Sequence, residues 1–400
     1  MTTYNIPQHP VPTTDRSFEQ LGLTEEVLGS VKNIGFVHPT PIQDAVIPPA
    51  LAGRDVIGLA QTGSGKTAAF VLPLAEKLTH GRGVRALILA PTREIALQTQ
   101  AFIELFGKSH DLTAACLIGG VKMQPQLAAL KSQPDVIVAT PGRLLDHVKR
   151  RTVSLDNIEM LVLDEADHML DLGFLPQMKE ILRRLPRERQ TLMFSATMPD
   201  SIEMIARDFM RNPDRIDIMP VGQAAEGITH RLYLVKLEDK RPCLLALLQQ
   251  ELGSTLVFVR RKIDAEWLHA ILDRQGHPVS RIHADRSQKG RTAALDSFRA
   301  GQHRILVATD IAGRGIDVPG IEHVINFDIP ESVEDYIHRG GRTARAHATG
   351  TVSTIATWTD VPMVKKIEEA LGDKLPRCTV AGVAPWEEME KKAAPVRRRL

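Results

Sequence analysis

The sequence predicts an α/β protein of two tandem domains, each a mostly parallel sheet covered by helices on both faces. Three observations carry this. The chain has 400 residues, more than one domain usually takes. Short continuous apolar runs alternate with helix-compatible segments, the pattern of strands buried on both sides. The alternation breaks at Met219-Pro220-Val221-Gly222-Gln223-Ala224-Ala225-Glu226-Gly227 and then restarts. The predicted division is a flexible lead-in over 1–16, a first domain over 17–218, a linker over 219–228, a second domain over 229–375 and a short basic tail over 376–400.

Composition narrows the class. Hydrophobic residues are 43% and charged residues 24% of the chain, values of a soluble globular protein. No apolar stretch approaches the roughly 20 residues that cross a bilayer. The opening Met1-Thr2-Thr3-Tyr4-Asn5-Ile6-Pro7 lacks the basic and apolar regions of a signal peptide. Cys116, Cys243 and Cys378 match no metal or redox spacing, so buried thiols in a reduced cytoplasmic compartment are expected. A net charge of +2 permits only local basic surfaces. Aromatics are 4% of the chain, fewer than a protein stacking on single-stranded bases would carry. Any nucleic-acid contact is therefore expected at phosphate and sugar, with little sequence information.

In the first domain, Phe18 begins the ordered part, and the amphipathic Glu25–Val31 leads to Gly35-Phe36-Val37-His38-Pro39-Thr40-Pro41-Ile42-Gln43. Thr40 predicts an N-cap and Pro41 the first helical position. Gln43 then sits in the first turn, where its amide offers the donor and acceptor that suit the edge of adenine. The strand Asp55–Ala60 runs into Gln61-Thr62-Gly63-Ser64-Gly65-Lys66-Thr67 and a helix. This is a phosphate-binding loop with Ala60 in its first glycine position. Gly63 and Gly65 let backbone N–H groups turn around a phosphate, Ser64 lies between them, and the helix N-terminus adds positive charge. Lys66 can reach the β- and γ-phosphates, and the Thr67 hydroxyl can ligate Mg²⁺. The loop alone says only nucleoside triphosphate.

The remaining strands of that domain each end in polar residues. Ala86–Ala90 leads to Pro91-Thr92-Arg93-Glu94, and Asp135–Ala139 to Thr140-Pro141-Gly142-Arg143. Met160–Leu163 leads to Asp164-Glu165-Ala166-Asp167, and Thr191–Phe194 to Ser195-Ala196-Thr197. Ligands of open parallel sheets gather beyond these strand ends. Asp164 suits a contact to Mg²⁺, and Glu165 suits orienting or deprotonating an attacking water.

The second domain shows strand runs at Leu232–Val235, Thr255–Val259, Arg304–Ala308 and His323–Phe327, and no second Gly-Lys-Thr loop. No nucleotide of its own is expected there. A helical segment from Ser332 opens His338-Arg339-Gly340-Gly341-Arg342-Thr343-Ala344-Arg345. On a helix, Arg342 and Arg345 would face one way and could serve as arginine fingers on a transferred phosphoryl group. The arginines Arg397-Arg398-Arg399 near the end read equally as an RNA anchor or a solvated terminus.

Together these blocks resemble the DEAD-box family of RNA-dependent ATPases and helicases, from Phe18 to about residue 370. The resemblance implies two RecA-like domains, with ATP, Mg²⁺ and RNA as ligands. It implies that Phe18 and Gly35 through Gln43 recognise adenine. It assigns Pro91, Thr92, Arg93, Gly119, Gly120, Thr140 and Arg143 to the RNA backbone, and Ser195 and Thr197 to coupling between ATP state and strand separation. In the second domain Arg260 and Thr309 would touch RNA, Asp317 the ribose, and Arg342 and Arg345 the phosphates, with His338 bridging towards the nucleotide. Gln288 with Arg291 matches a further motif. Gly340 and Ala344 depart from the last motif, which commonly has isoleucine and glycine there, and Arg286 stands where an apolar residue is usual. The short lead-in and plain core look most like the bacterial RhlE-like branch. The implied function is ATP-driven local unwinding of short RNA duplexes; an ATP-gated RNA clamp uses the same motifs, and a double-stranded DNA translocase fits them less well. Implied protein partners are those of ribosome assembly or RNA decay, with no membrane involved.

Overall fold

In the computed structural model, seven strands form the first sheet. They are β1 (Val56–Leu59), β2 (Ala86–Leu89), β3 (Ala114–Leu117), β4 (Val136–Ala139), β5 (Met160–Leu163), β6 (Gln190–Ser195) and β7 (Asp214–Asp217). Every neighbouring pair is parallel, in the order β3-β4-β2-β5-β6-β1-β7. The structure describes residues 13–60, 63–78, 81, 83–218, 227–251, 253–313, 318, 320–343 and 349–383. The chain divides into two units, 1–219 and 220–400.

The period of two in a strand builds both layers of the first unit. Val56, Ile88, Val136, Val138 and Val162 face the helices Glu25–Ile34, Pro41–Leu51, Lys66–Lys77 and Arg93–Phe106. Ile57, Leu87, Leu89, Ile137 and Leu161 face Pro141–Lys149, Ala166–Asp171, Leu175–Leu182 and Asp200–Phe209. Each such side chain, fully buried, contributes about 1.5–3 kcal/mol. Parallel strands all end on one edge, so the sheet order sets a row of loops. Read along it, the loops follow Gly119-Gly120, Thr140 to Arg143, Pro91 to Arg93, Asp164 to Asp167, Ser195 to Thr197, and the phosphate loop.

The second unit holds β8 (Ile228–Leu234), β9 (Thr255–Val259), β10 (Val279–Ile282), β11 (Ile305–Thr309), β12 (His323–Asn326) and β13 (Gly350–Ala356). These are also parallel, in the order β10-β11-β9-β12-β13-β8. Arg260 and Thr309 thus end or follow adjacent strands. Among the described residues, no helix is long and apolar enough to cross a membrane.

Four strands are not among those the apolar runs predict. β3, β7 and β10 are edge strands, half-buried, and two of them read Asp-Arg-Ile-Asp and Val-Ser-Arg-Ile. β13 is interior but carries Ser353 and Thr354, both fully buried. Their hydroxyls are paired, Ser353 Oγ with His323 Nε2 at 2.8 Å and Thr354 Oγ1 with Asn326 Nδ2 at 3.1 Å.

The predicted boundaries need correction at three places. The lead-in is shorter: Thr14 N donates to Pro39 O at 2.9 Å, and Arg16 pairs with Asp44 at 2.8 Å. The linker ends earlier, because Gly350 N already bonds Gly227 O at 3.0 Å and β8 starts at Ile228. The tail starts later. Leu232 N donates to Pro376 O at 2.8 Å, and Cys378 N to Leu232 O at 2.8 Å, so this segment covers the open edge of β8. Val380 and Val383 are buried beside Tyr233 and Val235. The arginines near the C-terminus lie outside the described residues. A second-unit chain ending at Leu375 is expected to be about 2–4 kcal/mol less stable to denaturant than one ending at Val383, from the lost burial of two valines.

Candidate active site

The described residues of the phosphate loop are tied to their neighbours. Gly63 has φ 87° and Gly65 φ 91°, the left-handed region that suits glycine. Gly65 is the N-cap of Lys66–Lys77, so that helix points its N–H groups at the loop. A Cβ on Gly65 would stand 2.5 Å from Gln43 Nε2. Gln43 Nε2 donates to Gly65 O at 3.1 Å, while its Oε1 accepts from Thr40 N at 3.0 Å. Gln43 therefore stays in the first turn with Thr40 as N-cap, but it ties that turn to the phosphate loop with both ends of its amide. Lys66 Nζ donates to Ala60 O at 2.6 Å. Ser64 Oγ is buried without a hydrogen-bond partner. Phe18 is 2% exposed and its ring stacks on Phe36 with centroids 6.4 Å apart, so it packs in the core.

Beyond β5, Asp164 is 3% exposed. Burial, reinforced by the charge of Glu165, holds its carboxyl well above the usual carboxylate range, and Lys66 opposes this. Glu165 has φ 48° and caps the short helix Ala166–Asp171. Asp167 turns the other way. Its Oδ2 accepts from Ala196 N and Thr197 N, both at 2.9 Å, and from Thr197 Oγ1 at 3.2 Å. Its own N–H donates to Ser195 Oγ at 3.2 Å. The acidic box and the Ser-Ala-Thr loop are one hydrogen-bonded body.

The predicted RNA residues of the first unit interlock. Pro91 and Thr92 are buried, and Thr92 Oγ1 accepts from Ile95 N at 3.4 Å to cap the next helix. The Arg93 guanidinium lies directly over Gly120, where φ is 70°. Thr140 is 8% exposed and N-caps Pro141–Lys149. Arg143 Nη1 donates to Val121 O at 3.0 Å. Side chains that follow two strands, β2 and β4, thus brace the loop around Gly119 and Gly120.

In the second unit, the helix Val333–Gly340 stops before Arg342. Arg342 is therefore not on that helix, contrary to expectation. Arg342 is 3% exposed and its Nε donates to His338 O at 3.2 Å, while Arg345 and Asp317 lie outside the described residues. A Cβ on Gly340 would meet Val352 at 3.7 Å, ordinary contact. Arg260 is exposed, with Nη2 donating to Ile329 O at 3.3 Å, and Thr309 is 7% exposed. Arg286 lies against Gly290 with its Nε buried and unpartnered.

Family models match both units: "DEAD/DEAH box helicase" over residues 40–205 and "Helicase conserved C-terminal domain" over 239–347. The ATP-dependent rRNA helicase RRP3 of Candida glabrata is 42% identical over 371 residues, 92% of this chain and 75% of that protein. The chain belongs to the DEAD-box family of ATP-dependent RNA helicases. The DEAD-box ATP-dependent RNA helicase RhpA of Helicobacter pylori is 41% identical over 358 residues, 88% of this chain and 73% of that one. Dbp5 of S. cerevisiae, solved bound to RNA and ADP BeF3, superposes with a TM-score of 0.82 at 32% identity, covering 94% of this chain and 98% of that one.

Three residues of this DEAD-box protein escape the motif reading. Asp167 lies in the acidic box, but its spacing assigns it no role. Gln126 is 4% exposed and holds both the N–H and the C=O of Ile118, each at 3.2 Å, just before Gly119. Arg339 clasps Asp310 through two bonds of 2.6 and 2.7 Å and also donates to Asn326 Oδ1 at 2.9 Å. A buried amide or guanidinium with this many partners leaves no sequence signal beyond its type. The packing of Arg93 on Gly120 yields a paired test. Gly120→Ala is expected to raise the half-saturating RNA concentration in an ATPase assay about tenfold, with ATP binding unchanged, since it adds both a clash and strain of about 1–2 kcal/mol. Gly119→Ala, whose Cβ meets Arg93 only at 3.8 Å, is expected to change little.

Proposed function

We propose that this chain hydrolyses ATP with Mg²⁺ at the phosphate loop and DEAD box, and spends the turnover on separating short RNA duplexes gripped by their backbones. The observation that carries this is Asp167, whose carboxylate accepts from Ala196 and Thr197 and whose N–H donates to Ser195, bonding the hydrolytic box to that loop. That RNA and a nucleotide analogue occur together in the Dbp5 structure supports the same reading.

The residues fit the nucleotide and the ion. Ser64 Oγ is a buried hydroxyl awaiting a partner, and Gly65 opens a cradle that a Cβ would fill. Thr67 and Asp164 offer the hard oxygen donors that Mg²⁺ takes. When bound, the ion neutralises charge on the phosphate oxygens. Lys66 exchanges the Ala60 carbonyl for the β- and γ-phosphates. Glu165 orients the attacking water and takes up its proton. Asp167 relays the state of the box to Thr197, and Arg93, Arg143 and Gly120 keep the RNA loop in one shape. Gln43 uses one N–H and one lone pair within the protein, so its second N–H and second lone pair remain for adenine.

Lys66→Ala and Glu165→Gln are each expected to lower RNA-stimulated ATP hydrolysis by at least roughly 100-fold, and RNA is expected to stimulate the wild type more than DNA of equal length. Normal turnover in either variant defeats the site assignment. A strand-displacement assay with ATP against a slow-hydrolysing analogue distinguishes the helicase, which needs turnover for release, from an RNA clamp, which stays bound.

A further inference from the structure

The side chain after the box has a contact that the functional assignments do not use. His168 lies on the helix Ala166–Asp171, and its Nδ1 stands 2.9 Å from Glu165 Oε2. The His168 side chain is 4% exposed and that of Glu165 13%. A carboxylate oxygen only accepts, so Nδ1 carries the proton and donates. Nε2 is buried without a hydrogen-bond partner, which leaves the bond to Glu165 as the polar contact of the ring. The platform beneath it is fixed. His168 N donates to Asp167 Oδ1 at 2.9 Å, and the other oxygen of Asp167 is bonded to Ala196 and Thr197. Glu165 itself sits at φ 48° and ψ 58°, which turns its side chain out of the strand direction. A long carboxylate leaving such a backbone has three side-chain torsions to settle, and a catalytic group must hold one of them.

We propose that His168 is a positioning residue for Glu165: its Nδ1–H fixes Oε2 so that the other carboxylate oxygen is presented to the attacking water. This rests on the reading of Glu165 as the group that orients that water. Correct orientation of a reacting pair is worth large factors in rate, and a misplacement of about 1 Å costs roughly 100-fold. The ring acts through Glu165 alone, so its loss affects the chemical step and not the capture of either ligand.

The test uses variants of the full chain chosen by atom position. In His168→Leu a methyl replaces Nδ1, while in His168→Asn the amide nitrogen hangs on Cγ as Nδ1 does. His168→Leu is expected to lower kcat for RNA-stimulated ATP hydrolysis roughly 10- to 100-fold. KM for ATP and the half-saturating RNA concentration are expected to stay within about twofold, since no group that binds either ligand is removed. His168→Asn is expected to recover most of the loss. Wild-type kcat in folded His168→Leu, or a loss that His168→Asn fails to recover, overturns the proposal. Should His168→Leu not fold, His168→Asn is set against His168→Gln, whose amide nitrogen mimics Nε2 instead: higher kcat in the asparagine variant supports the role, and equal kcat overturns it. Glu165→Gln measured alongside separates the two readings. If it keeps turnover, the assignment of Glu165 fails; if it is silent while His168→Leu is normal, only the role of His168 fails.

Discussion

One carboxylate holds the catalytic half of this protein in register. Asp167 leaves the end of β5, and the loop it binds leaves the end of β6. Hydrogen bonds to a charged acceptor contribute about 1.5–3 kcal/mol each. With three donors on a single oxygen, the Ser-Ala-Thr loop cannot shift without disturbing the turn that carries Glu165 and His168. The chemistry of phosphoryl transfer is mostly positioning and charge. A rigid tie beside the reacting groups is what allows a change at the phosphate to be felt elsewhere.

The sheet order extends that tie into a row. The loops proposed to serve the nucleotide follow β5, β6 and β1, and those whose motifs match RNA contacts follow β3, β4 and β2. The DEAD box stands where the two meet. On the RNA side the cations have structural duties as well. Arg93 covers Gly120, and Arg143 holds Val121 O. Under the proposed function these guanidiniums shape the loop offered to an RNA backbone, in keeping with recognition that carries little sequence information.

Most of the fold was legible in the chain because buried parallel strands are written as apolar runs. The phosphate loop, the acidic box and the Gln43 turn were legible because each needs specific residue types at fixed spacing. What escaped was set by tertiary contact. Edge strands such as Asp214–Asp217 have one partner and no apolar signature. Pro376 to Val383 read as a tail since its partner, Leu232, lies far away in sequence. The helix Val333–Gly340 ends before Arg342, so the expectation of a helical arginine there does not hold. Phe18 matched a motif, yet its ring is core. The roles of Gln126, His168 and Arg339 exist only once the loops stand side by side.

Under the proposed function Asp167 couples hydrolysis to strand separation. The number of ATP molecules consumed per RNA duplex separated tests it most directly, measured for Asp167→Asn beside the wild type. A rise of about tenfold is expected, the equivalent of one lost bond to a charged acceptor, with ATP still hydrolysed. An unchanged ratio in a folded variant would contradict it.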